Sequence, residues 1–336
     1  MKKETTTSSI AITPKPKSIS VITNPLLRLL RVREMAMLIL ILVVCVVMTI
    51  LSPYFLSTTN FLSMARGFSM DGMVTIGMTL LLITGAFDLS VGAVMALSGI
   101  VTAILIVSLH MSYPIAFLGG LAVGLIAGWI NGTLVTRLKV NALIATLGMQ
   151  TVARGIALGI TQGSPVINVP SDFAWLGQGS VWGIPFPFIV LCVLVLVTDV
   201  LLRNGRTLRQ LYYVGGNQKA ARFSGIQVDR IIVLTFIGSG LAAALGGIMS
   251  MARLTSGIPT AFEGVELQVI AACVIGGASL SGGEGTIIGA ILGLVFMALV
   301  SNAMTMLGVS VYWEGVVTGT ILIVAVASDM LTRRRL

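Results

Sequence analysis

Between residues 35 and 331 the chain is a succession of helix-length apolar blocks separated by short polar joints, with no period-2 alternation inside the blocks. About 20 apolar residues span the hydrocarbon core of a bilayer, where no water is present to satisfy backbone polar groups. Only helices and closed barrels survive there, and a barrel strand would alternate. The expected fold class is therefore an all-α integral membrane protein. Charged residues are 10% of the chain, against about 25% in a soluble domain, which is too few to clothe a water-facing surface. The 38 glycines suit closely packed or broken membrane helices.

Ten spans are expected, at about 35–55, 62–86, 89–109, 114–135, 141–161, 186–202, 231–252, 266–281, 286–307 and 312–331. Residues 1–34 read as a disordered basic cytoplasmic tail, 35–331 as one transmembrane domain, and 332–336 as a basic cytoplasmic C-terminus. With the N-terminus inside, the inner segments hold eighteen of the 21 Lys and Arg residues. Cytoplasmic loops are enriched in these residues, so both termini are expected in the cytoplasm. The net charge of +9 thereby reads as topology, not as a nucleic-acid surface. Cys45, Cys192 and Cys273 each lie inside an apolar block without metal-ligand spacing, and the lone His110 has no second ligand nearby in sequence. No metal is expected.

Polar groups interrupt the apolar blocks in a few places. Asp88 lies between Gly85 and Gly92. Its carboxylate would cap the backbone N–H groups near Ser90 where a new helix starts, or it would form a proton or cation site. A second interruption has five glycines among residues 275–286, with Ser279, Ser281 and Glu284 as cap candidates. It lacks the Lys-Ser/Thr of a phosphate-binding loop and reads as a tight reversal. On the fifth span Thr146, Gln150 and Arg154 are four residues apart and share one helical stripe, which must face protein or water. With Asn131 they form a candidate polar translocation lining, the alternative being hydrogen bonding between helices. The outer segment 253–266 carries Arg253, Glu263 and Glu266. They form either a solvated rim or a docking contact for an external protein. The outer connection 162–185, with Trp175 and Trp182, offers the same choice between interfacial anchors and docking.

The one long basic interval is 203–230, with six Lys or Arg residues and a single acid, Asp229. Thr207 is expected to cap a helix over 208–214 that Gly215 and Gly216 end. Asn217 is expected to cap a second over 218–224 that Gly225 stops. Lys219 and Arg222 fall on one side of this small knob.

The segment Tyr213-Val-Gly-Gly-Asn-Gln-Lys-Ala-Ala-Arg-Phe-Ser-Gly-Ile226 resembles the cytoplasmic loop of monosaccharide-type ABC importer permeases, the membrane subunits for ribose, related sugars and autoinducer-2. The likeness continues through Ile76-Gly-Met-Thr79, 84–92, Ile130-Asn-Gly132, Val135-Thr-Arg-Leu-Lys-Val140, Ile144-Ala-Thr-Leu-Gly148, Ala153-Arg-Gly155 and 274–285. It departs at Ala86-Phe87, where the family usually has Gly-Ile, and at Glu284, where it usually has Arg.

The resemblance implies a multi-pass protein of a bacterial inner membrane, surrounded by lipid. It would pair with a second permease subunit, identical or paralogous, and receive a monosaccharide from an external binding protein. Two copies of a cytoplasmic ATPase, which bind the ATP and Mg, would dock on Gly216, Asn217, Lys219, Ala220, Ala221, Arg222 and Gly225. The chain itself would be no enzyme and hold no cofactor. The rival reading is a secondary transporter driven by an ion gradient, which needs intramembrane carboxylates. Asp88 and Glu314 are its candidates. A membrane enzyme would need a nucleophile–base pair or metal cluster, and the sequence displays neither.

Overall fold

The computed structural model describes residues 33–333. All but the last two residues of the basic tail at 1–34, and Arg334, Arg335 and Leu336 of the C-terminal segment, lie outside the described residues. The first helices are α1 (Arg33–Leu51), α2 (Thr58–Ile83), α3 (Val91–Val107), α4 (Tyr113–Thr136) and α5 (Ala142–Thr161). A short helix α6 (Ser171–Gln178) and a two-residue hairpin, β1 (Ser180–Val181) with β2 (Ile184–Pro185), lead into α7 (Phe186–Asn204). Then come α8 (Arg206–Gly216), α9 (Gln218–Phe223), α10 (Val228–Leu254), α11 (Val265–Ile275), α12 (Ile287–Met306) and α13 (Glu314–Arg333).

Among the described residues seven helices are long and apolar enough to cross a membrane: α1, α2, α4, α5, α7, α10 and α12. The shorter apolar helices are α3, α11 and the apolar part of α13. The expectation of a full span at 266–281 needs correction. The helix stops at Ile275, because Gly276 and Gly277 follow and Gly277 takes φ +99°. Its 11 residues cover about 16 Å, roughly half a hydrocarbon core.

Burial sorts the helices into a centre and a periphery. In α2 and α10 the apolar windows are 72% and 61% buried, against 11% in α1 and 17% in α7. The outer helices therefore turn apolar side chains to lipid. α10 sits at the centre and packs on α4, α2 and α3. Its closest approach is to α4, where Gly120, Gly124, Gly128 and Gly132 recur every four residues and so form one stripe. A Cβ built on Gly124 would collide with the Gly240 carbonyl, and one on Gly240 with that of Gly124. Backbone contact of this kind is how membrane helices associate where lipid removes the hydrophobic drive.

The connection at 162–185 is more ordered than its prolines suggest. Phe173 and Ala174 of α6 are buried, and Phe173 packs with Ile248 and Met251 of α10. Val166 pairs with Gly257 in an antiparallel bridge. Trp182 is 97% exposed.

Candidate functional site

The basic interval 203–230 forms two helices, as its caps imply, but their bounds differ from the expected ones. Gly205, not Thr207, is the N-cap of α8, and the helix runs on through Gly215 and Gly216. Leu211 and Val214 are buried, with Leu208 and Tyr212 packed beside them. The second helix starts as read: the Asn217 side chain accepts a hydrogen bond from the Ala220 backbone N–H at 3.0 Å. Ala221 is buried, whereas Gly216, Lys219, Ala220, Arg222 and Gly225 are exposed.

The reason Gly215 stays helical lies in a different part of the chain. A Cβ on Gly215 would occupy the carbonyl oxygen of Ile83 and lie 2.5 Å from the Gly283 nitrogen. That nitrogen donates to the Ile83 carbonyl at 2.9 Å. The Tyr212 hydroxyl donates to the Gly285 carbonyl at 2.7 Å. The end of α8 is thus wedged between the break after α2 and the glycine turn before α12. Burial and the nearby Asp199 carboxylate push the Tyr212 phenol above its ordinary pKa, so it remains a donor.

The knob itself is turned outward. Phe223 is 93% exposed, an apolar ring with no cover on a polar helix. Arg222 pairs with Asp229, Nη2 to Oδ1 at 2.5 Å, and Lys139 reaches the same oxygen at 3.6 Å. These groups are about half exposed, so the pairs contribute little stability. They fix where the knob points relative to α10.

Asp88 is buried, and its Oδ1 accepts from Ser90 N at 2.8 Å and from Ser90 Oγ at 2.5 Å. Asn131 Nδ2 donates to Asp88 Oδ1 at 3.4 Å and to Ser90 Oγ at 3.1 Å. The carboxylate therefore organises the start of α3 and ties it to α4. Ser279 plays the analogous part in the other turn, accepting from Ser281 N at 3.0 Å. Thr286 caps α12 and donates to Glu34 of α1 at 2.8 Å.

The α5 stripe turns inward. Thr146 bonds back to the Ala142 carbonyl at 2.9 Å. Gln150 Nε2 donates to Glu266 Oε1 at 3.0 Å, and Arg154 Nη1 donates to the carbonyls of Pro259 and Ala261 at 2.5 and 2.8 Å. These three bonds strap α5 to the first turn of α11 and to the segment before it. Glu266 was grouped above with a solvated rim or docking contact, but it is 7% exposed. The strap draws it under the surface, whereas Glu263 is exposed and Arg253 half-buried.

A polar cavity of about 630 Å³ lies between α2, α10, α11, α12 and the start of α13. Arg253, Glu263 and Glu314 line it, together with Asp71, which the sequence reading passed over. Asp71 sits at the middle of the 26-residue α2. A carboxylate there costs about 2.5–3.5 kcal/mol on insertion scales, so its position in the sequence was the available signal. Asn131, Thr146, Gln150 and Arg154 are not among the cavity-lining residues. Asp71 precedes Ile83 by 12 residues on one helix, about 18 Å along its axis, so cavity and glycine junction lie at different depths.

The chain is similar in sequence to known proteins over most of its length. Residues 60–326 match the family model described as branched-chain amino acid transport system / permease component. The ribose import permease protein RbsC of Escherichia coli (strain K12) is 37% identical over 300 residues, covering 88% of this chain and 93% of that protein. RbsC of Bacillus subtilis (strain 168) is 38% identical over 289 residues, covering 85% and 89%. The L-arabinose transport system permease protein AraH of Escherichia coli (strain K12) is 37% identical over 296 residues, covering 88% and 90%. No solved structure matches the chain.

Proposed function

Because the chain belongs to the family of branched-chain amino acid transport system / permease components, we propose that it works as the membrane subunit of an ATP-driven ABC importer for a monosaccharide. The observation that carries this reading is the likeness to ribose and arabinose permeases over nearly their whole length. The protein is a multi-pass membrane component, and its membrane in this reading is the bacterial inner membrane. Ten crossings with both termini cytoplasmic are in line with the Lys and Arg distribution. α3 and α13 join the seven longer helices, and the half-length α11 completes a crossing together with the irregular segment 255–264 that precedes it.

In that orientation α8, α9 and both helix breaks face the cytoplasm, and the cavity opens from the outer half. A partner ATPase docks on α9, contacting Gly216, Asn217, Lys219, Ala220, Ala221, Arg222 and Gly225, with Phe223 as the buried anchor of the contact. An exposed aromatic on a small rigid knob has the form of an interface hot spot. Motion of α9 passes through α8 to the Ile83 and Gly283 backbones, and so to the cytoplasmic ends of α2 and α12. The external binding protein meets the outer face near Glu263 and Arg253. The α5 stripe, with Gln150 and Arg154, serves the pathway indirectly by holding the segment that carries Glu263. A second permease subunit completes the complex.

The test is uptake of radiolabelled ribose and arabinose into vesicles with and without the ATPase subunit. Uptake should require the ATPase and ATP. Sugar uptake that persists on a proton or sodium gradient alone would overturn the reading. In the same preparation, Phe223→Ala should cost about 2 kcal/mol of ATPase binding, roughly thirtyfold in affinity. Unchanged co-purification would remove Phe223 from the interface.

A further inference from the structure

The importer reading leaves open where the solute is held, and the cavity around Asp71 is a polar space available within the described residues. Its polar lining comes from five helices: Asp71 on α2, Arg253 at the end of α10, Gln268 on α11, Asn302 on α12 and Glu314 on α13. Glu314 is occupied by Ser301, whose hydroxyl donates to it at 2.5 Å, and Asn302 is paired with Asn60. Asp71, Arg253 and Gln268 differ. Among the described residues their side chains have no hydrogen-bond or ion-pair partner within bonding distance, although an opposed acid and base share one cavity. A Cβ built on Gly67, one turn before Asp71, would lie 3.7 Å from Arg253 Nη1, so the guanidinium faces this stretch of α2. Asp71 and Arg253, each half-buried, share this cavity without an ion pair between them, which leaves their polar groups for a third partner.

We propose that this cavity is the solute compartment and that it is shaped for an uncharged polyhydroxylated solute, an inference that rests on the importer reading above. Neighbouring hydroxyls on a sugar each donate and accept. A carboxylate takes two donated hydrogens, a guanidinium gives two, and a primary amide gives and takes one of each kind. Asp71, Arg253 and Gln268 supply that set from three directions. Phe68 and Phe262 line the same cavity and supply aromatic surface for the C–H side of a sugar ring. A branched-chain amino acid asks for a continuous apolar wall around its side chain, and Asp71 with Arg253 interrupts that wall.

The experiment uses the assembled transporter, with ATPase and binding protein, in proteoliposomes supplied with labelled D-ribose or L-arabinose. Asp71→Leu and Gln268→Leu should each lower uptake of the carried sugar by about tenfold or more, the equivalent of one lost hydrogen bond to a charged or buried group. Asp71→Asn, which keeps an acceptor, should lose less. The ATPase should still co-purify with all three, and excess L-leucine should not compete. Uptake within twofold of wild type in both leucine variants would overturn the assignment, as would competition by L-leucine. If the wild-type complex carried neither sugar, the carried monosaccharide would be another one, found by screening labelled sugars, and a second readout would still decide the cavity. With Cys45, Cys192 and Cys273 replaced, Gln268→Cys should react with a membrane-impermeant thiol reagent added from outside, and sugar should slow that reaction. A thiol that stays unreactive would rule the compartment out.

Discussion

Gly215→Val is expected to abolish ATP-driven uptake while the protein still inserts and still binds its ATPase. The variant's Cβ has no place to go, since the Ile83 carbonyl and the Gly283 nitrogen already fill that volume. Both obstacles are backbone and cannot rotate away. Overpacking of this kind costs about 1–3 kcal/mol where the surroundings yield. Here α8 must lift, and the Tyr212 bond to Gly285 breaks with it. α9, the proposed docking helix, lies beyond the wedge and keeps its Asn217 cap, so ATPase co-purification should be unaffected. The informative measurement is uptake per ATP hydrolysed, which should fall about a hundredfold. Wild-type coupling in this variant would mean that the junction is packing alone and transmits nothing.

The second large effect is expected at Asp88. Asp88→Ala removes the acceptor shared by Ser90 N, Ser90 Oγ and Asn131 Nδ2 in a fully enclosed site. Each buried polar group left unpaired costs about 1–3 kcal/mol, so a total near 3 kcal/mol is expected, read as a lower thermal midpoint of the purified protein in lipid nanodiscs. Asp88→Asn keeps an oxygen in the same place and should retain most of the stability. If asparagine were as damaging as alanine, the negative charge itself would be required. Asp88 would then have to be reconsidered as a cation or proton site. The two substitutions separate a hydrogen-bond role from a charge role.

Much of this molecule was legible before any coordinates. The apolar blocks located the helices, because hydrophobicity over about 20 residues is a local property. Asn217 was readable as a cap, since a capping side chain reaches only two or three residues along the chain. Errors arose where a residue's use depends on something distant. Gly215 looked like a helix stop because glycine ends helices, but it is a contact with a carbonyl 132 positions earlier in the chain. Glu266 looked like a rim charge until Gln150, 116 positions away, was found bonded to it.

The sequence by itself determined that this chain lives in a membrane as a helical bundle and that its basic loop holds a capped knob. Both depend on composition or on neighbours within one turn. Only the tertiary structure decided that the knob's support is wedged against both helix breaks. It also decided that α11 is a half-length helix, and that Asp71 shares a cavity with Arg253. Asp71 and Arg253 are 182 positions apart in the chain, and no periodicity or propensity links residues at that distance. Their meeting is set by the glycine stripe of α4, which brings α10 to the centre of the bundle, and by the packing of α2 against it.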